Sequence, residues 1–443
     1  MNQTITINDL SELAARMPLK KGQEVPHVLM FGYNGANNTG AEALLLADIE
    51  DVRAVLGSQA VITIPSLNPQ NLRRYVKETD RLRIEPLPTL GFHTLHRLVR
   101  ENDLVMLVEG STYMDTWSPA MLWAYLWVTS CASEMGKPCL AYAVDAGKIR
   151  LALNRWLVRR VVSKTSLVVT RAAAASRRLR EFGVTAPIEV TADNAFNYLP
   201  DPRDSNLLAQ TWPEAGNGVV GMALVDFYLW PVVIKAWGKR QDCYKWPYYF
   251  TRSPERAQAS ARLARCYAAL ADELITRQNK SIALIGMEGL DENLLRKVYA
   301  CMRYPERARI FSAKQYNASQ MVSILRSLEL LVTSRYHACV LSLAAQVPQV
   351  AVGHDLRLKT IYQELDLLDR FFVEPNLPTL YAELLGRVES LLANPSCMHV
   401  ELQQGYEIHR QDAQRNRLLL MDFVQSYCRQ WVPNPVIPQA VPA

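Results

Sequence analysis

Cys-x-x-Cys pairs are missing from this 443-residue chain, although it has eight cysteines, at 131, 139, 243, 266, 301, 339, 397 and 428. Without paired spacing they point neither to a disulfide framework nor to a thiolate metal site, and they read as reduced, mostly core residues of a cytoplasmic protein. Histidine is scarce, seven in all, and none stands at a ligand spacing from a cysteine or carboxylate, so no metal is expected. Long apolar runs are lacking too. The longest stretch, Val219 to Trp237, is interrupted by Asp226, Pro231 and Lys235 and falls short of a membrane span. Met1 to Glu24 is polar and charged, unlike a signal peptide. The net charge of +6 reads as a mild excess spread along the chain, without the block of like charge that would mark a nucleic-acid arm.

What is present suffices for a buried core: 49% of residues are hydrophobic and 21% charged. Apolar runs of strand length begin at His27, Val61, Leu104, Lys137, Thr165, Val219, Ser281, Ala308, Leu328 and Pro348, and stretches of helical pattern separate them. Strands alternating with helices in two arrays predict an α/β protein with two Rossmann-like domains facing each other across a cleft. The expected boundaries are an N-terminal extension (1–25), a first domain (26–200), a polar linker (201–218), a second domain (219–397), a C-terminal helix (398–431) leaning across both, and a proline-rich tail (432–443).

The most informative stretch is Leu328 to Asp355, LELLVTSRYHACVLSLAAQVPQVAVGHD, which reads as strand, tight turn, helix and strand. Ser334 can cap the helix, placing Arg335 and His337 in or beside its first turn. A helix N-terminus carries partial positive charge and disfavours cations by a few tenths to about 1 kcal/mol, so a negative group is expected there. An Arg fork and an imidazole could hold a carboxylate or a phosphate. Equally, Arg335 could pair with a local acid, and His337 could be a satisfied core histidine. Arg171 repeats the placement at the end of the strand 165–170, and two such sites on one cleft would form a clamp.

Ser334, Arg335 and His337, the step from Ala344 to Pro348, and Lys359 before an acidic helix together resemble the C-terminal signature of the polysaccharide pyruvyltransferase family. Weaker echoes reach back to about residue 28. The loop YNGANNTG with Glu42 is similar to the family's N-terminal Gly/Asn-rich element, with Ala41 where the family usually has Asp. On its residues alone, Thr39-x-x-Glu42 reads as a capping box opening a helix through Leu56. Arg171 with Ser176 is similar to the family's Arg-Asp-x-x-Ser element, with Ala172 in place of Asp. Glu109 and the segment from Val144 to Lys148 stand where the family is glycine-rich.

The resemblance implies the GT-B arrangement and a reaction with phosphoenolpyruvate as co-substrate. The pyruvyl group would pass to a sugar diol, giving a cyclic pyruvate ketal and phosphate, in cytoplasmic polysaccharide biosynthesis for the cell envelope. In that reading Arg335, Arg171, Lys359 and Ser334 hold the donor, His337 acts as general acid, and Asn38, Asp115, Asp193, Trp230 and Trp246 contact the acceptor. Asp115 could equally be an ordinary cap, Asp193 could simply hold its loop, and the aromatics between Asp226 and Glu255 could be a packed lid. No further cofactor is implied and nucleic acid is not expected. A lipid-linked acceptor, peripheral membrane association and the oligomeric state stay open. Two other classes share the fold: a nucleotide-sugar glycosyltransferase, and a family member that binds glycans without catalysis.

Overall fold

The computed structural model describes residues 25–428 apart from 117, 217, 230, 231, 242, 243, 252 and 354. The expected N-terminal extension, except Val25, and the proline-rich tail lie outside the described residues, as does Trp230. In the first domain, β1 (His27–Phe31), β2 (Val61–Ser66), β3 (Leu82–Pro86), β4 (Leu104–Leu107), β5 (Cys139–Val144), β6 (Leu167–Thr170) and β7 (Ile188–Val190) form one parallel sheet ordered β3-β2-β1-β4-β5-β6-β7. Val28 to Phe31 are at most 1% exposed, because helices cover both faces and demand an unbroken apolar run. The edge strand β3 instead alternates buried and exposed residues.

The second domain contains β8 (Val219–Ala223), an antiparallel hairpin of β9 (Val232–Ile234) and β10 (Tyr248–Phe250), and then β11 (Ser281–Gly286), β12 (Ala308–Ser312), β13 (Leu330–Thr333), β14 (Gln349–Val352) and β15 (Phe372–Val373). Its parallel sheet is ordered β12-β11-β8-β13-β14-β15. Each sheet reverses strand order beside its first strand, between β1 and β4 and between β8 and β13. Loops diverge there and leave a crevice at the carboxyl ends of the strands.

Two helices tie the halves together. On Thr39–Leu56, Ala43, Leu44 and Ala47 join the core of the second domain, while Leu45, Ile49 and Val52 join that of the first. The 29-residue helix His399–Tyr427 does the same along its length, with Leu402 and Ala413 on the second core and Leu420, Phe423 and Val424 on the first. Backbone pairing adds to this: the Thr39 N–H donates to Met287 O at 2.8 Å and the Gly289 N–H to Asn37 O at 2.9 Å.

Candidate functional site

The two crevices meet. Their cavity, about 130 Å³, is lined by Tyr33 and Asn38 after β1, Glu109 and Ser111 after β4, Val225 and Phe227 after β8, and Ser334, Arg335 and His337 after β13. At about 30 Å³ per water in the liquid, that volume is room for roughly four waters. A second, apolar cavity of about 90 Å³ adjoins it, sharing Tyr33, Ser118, Met121 and Tyr244. Tyr33 and Tyr244, one from each domain, are hydrogen-bonded through their hydroxyls at 3.1 Å between the two spaces.

His337 stands on the helix Tyr336–Ser342 with its Nε2 3.6 Å from Asp193 Oδ2, just beyond hydrogen-bond length. Asp193 in turn accepts from Arg171 Nη1 at 2.5 Å and from the Ala195 N–H at 2.9 Å. Burial alone would raise the Asp193 carboxyl, but Arg171 and His337 hold it well below the usual carboxylate range. It is therefore a fixed anion behind the imidazole. On the other side, a Cβ on residue 40 would lie 2.0 Å from His337 Nδ1, so glycine there gives the ring its place. Gly110 does likewise for Arg171, whose Nη1 would lie 2.3 Å from a Cβ.

The open two-arginine clamp is not what forms. The Arg171 side chain is 1% exposed, holds Asp145 and Asp193, and lies against the Tyr336 ring with its guanidinium carbon 4.6 Å from the centroid. It backs the cleft without lining it. Arg335 does line the cleft, yet its Nε donates to Asp291 Oδ2 at 3.0 Å, its Nη2 pairs with Asp291 Oδ1, and its Nη1 lies 3.0 Å from Glu288 Oε2. The cations at these helix starts are thus balanced by carboxylates of their own domains. Burial still pushes the Asp291 carboxyl up, despite Arg335.

Other expectations shift as well. Ser334 lines the cavity but does not cap the helix; Arg335 occupies the N-cap position, and its N–H donates to Thr333 Oγ1 at 3.0 Å. Asn38, not Thr39, caps the helix Thr39–Leu56, accepting from the Ala41 N–H at 3.1 Å. Glu42 turns away from that box and accepts from the Ala318 N–H of the second domain at 2.9 Å. Asp115 is occupied by the Arg150 N–H at 2.9 Å and Asn154 Nδ2 at 2.9 Å, which favours the cap over an acceptor contact. Lys359 pairs with Glu374 at 3.1 Å, outside the cavity lining, and Trp246 is exposed on the hairpin loop.

The site residue that motif reading missed is Arg357. It lines the cleft beside Asp355, and its Nη1 donates to Ser111 Oγ at 2.9 Å across the domain boundary. A signal existed, since residues two apart on a helix point about 200° apart and only one of Arg357 and Lys359 could face the cleft. The acidic and basic side chains on the cavity wall are Glu109, Glu288, Asp355, Arg335, Arg357 and His337. Among the described residues, no cluster of three His, Cys, Asp or Glu could hold a metal ion, and no helix is long and apolar enough to cross a membrane.

A family profile described as polysaccharide pyruvyl transferase matches residues 38–355, which take in most of both domains and the cleft loops after β4, β8 and β13. Among curated proteins, none matches by sequence. Solved structures share the GT-B fold. A MnaA–UDP co-structure from S. aureus is 9% identical with a TM-score of 0.59, covering 92% of this chain and 98% of its own. UDP-GlcNAc 2-epimerase from Neisseria meningitidis bound to UDP-GlcNAc is 8% identical with a TM-score of 0.56, over 91% and 100%. A glycosyltransferase from Rickettsia africae is 13% identical with a TM-score of 0.52, over 92% and 99%.

Proposed function

Because the chain belongs to the polysaccharide pyruvyl transferase family, and is thus a transferase, we propose that it moves a pyruvyl group from phosphoenolpyruvate onto a sugar diol as a cyclic ketal. One observation supports this most: the His337 imidazole stands in the interdomain cleft with the fixed anion Asp193 behind it. Protonated, His337 delivers a proton to the methylene carbon of the donor while a sugar hydroxyl adds to C2, and the proton that this hydroxyl loses returns to the imidazole. The second hydroxyl then takes the place of the phosphate at C2, and its proton leaves with the phosphate. Asp193, 3.6 Å behind the ring, fixes its orientation. Arg335 and Arg357 offer N–H groups to the donor's carboxylate and phosphate, in competition with Asp291, Glu288 and Asp355.

The apolar cavity beside the cleft suits a hydrophobic group attached to the acceptor, which is consistent with a lipid-linked sugar made on the cytoplasmic side for the cell envelope. A binding-only family member is the second reading, favoured by Glu109 on the cleft wall and by the carboxylates already engaging Arg335.

The test is phosphate release from phosphoenolpyruvate against lipid-linked and nucleotide-linked sugars. Acceptor-dependent release that falls about 10²–10⁴-fold in His337→Ala, with the thermal midpoint kept, supports transfer. Near-normal turnover in that variant ends the assignment to His337. Sugar binding without release selects the second reading, and thermal stabilisation by a nucleotide diphosphate instead of phosphoenolpyruvate selects a glycosyltransferase.

A further inference from the structure

Charge is less evenly spread than the net value suggests: residues 146–180 hold ten Lys or Arg and no Asp or Glu. Arg171 is the buried exception; Lys148, Arg150, Arg155, Arg159, Arg160, Lys164, Arg177 and Arg180 are exposed. No ion pair joins any of these eight to another described residue. On the helix Ala152–Val162, Asn154, Val158 and Val162 at spacing four face the core. The opposite side should then be purely polar. It is not. Leu151 is 54% exposed, Leu153 62% and Trp156 53%, and the Arg160 guanidinium carbon sits 5.7 Å from the Trp156 ring centroid. Apolar side chains projecting among cations fit the boundary between anionic headgroups and acyl chains.

This face is also the back of the cleft wall. The Asp115 N–H donates to Lys148 O, and the Gly147 N–H to Tyr113 O at 3.0 Å. Trp123 Nε1 donates to Asn154 Oδ1 at 3.0 Å, tying the helix Pro119–Glu134, whose Met121 lines both cavities, to the basic helix.

We infer that the surface formed by Leu151, Leu153, Trp156 and the surrounding arginines docks on an anionic membrane surface, holding the cleft at the lipid boundary. Nucleic acid is disfavoured because only the indole could stack on a base, and the projecting Leu151 and Leu153 have no partner there. The face does not depend on pyruvyl transfer being the chemistry, so its test uses binding alone.

Purified full-length protein is sedimented with vesicles of phosphatidylcholine, with or without phosphatidylglycerol. Pelleting only with the anionic vesicles, weakening as salt rises, is expected. Arg150→Gln, Arg159→Gln and Arg160→Gln each weaken binding about fivefold. Leu151→Ser/Leu153→Ser/Trp156→Ser abolishes it at low salt, with circular dichroism unchanged in every variant. The inference is overturned by absence of vesicle binding, or by an apolar triple variant that binds as well as the parent. It is also overturned if that variant converts a dimer to a monomer without lipid, since a second copy would then own the face. Binding of single-stranded RNA that needs the arginines but not the apolar side chains overturns it too.

Discussion

His337 is held by what surrounds it more than by its own bonds. Gly40→Ala would put a methyl group 2.0 Å from Nδ1 and drive the ring off Asp193. The expected result is a cost of about 1–3 kcal/mol in stability, read by denaturant, with phosphate release as low as in His337→Ala. Asp193→Asn removes one of two carboxylates from a buried guanidinium, so a loss of about 3 kcal/mol is expected. Glu42 behaves in the opposite sense. Burial, only partly offset by Arg74, pushes its carboxyl from an ordinary 4.5 up to about 8. The folded state therefore holds that proton more tightly, bears no penalty below 4.5, and loses stability as pH rises toward 8. Glu42→Gln should match the parent in acid and exceed it above pH 8 by at most roughly 5 kcal/mol, measured by urea titration at each pH.

Among elements, the C-terminal helix His399–Tyr427 is tied to the first domain by buried polar groups. Its buried Asn416 donates to Ala192 O at 3.1 Å and accepts from Thr191 Oγ1 at 2.5 Å. Asn416→Ala leaves those groups unpaired and should cost about 1–3 kcal/mol in chemical denaturation. Legibility followed burial at this scale. The central strands were readable because both faces are covered, whereas β3 is an edge strand of five residues ending at Pro86 and offers only a weak alternation. Capping differs from expectation at two places because backbone angles, more than residue type, choose the cap: at residue 335 the extended backbone, φ −111 and ψ 121, makes Arg335 the cap without a side-chain bond. At residue 38 the backbone is extended, with φ −123 and ψ 108, which makes Asn38 the cap.

At the scale of the molecule, the site exists only while both sheets hold their crevices together. Phosphoenolpyruvate at a hundred times its Kd should add about 2.7 kcal/mol to folded stability, and a shift of the thermal midpoint would show it. His337→Ala should retain most of that shift if the arginines bind the donor.

The sequence by itself determined the alternation of strands and helices, the two arrays, the motif around Arg335 and His337, and the family that they resemble. These are local properties, set by periodicity and chain order. Tertiary structure alone decided which charges meet. The partners of Arg171 lie 22 and 26 residues away and those of Arg335 lie 44 and 47 away, and Asp193 reaches His337 only where the two domains pack. A cation at a helix start signals that a negative group is near; whether that group is a ligand or the protein's own carboxylate depends on sheet topology, which no local pattern encodes.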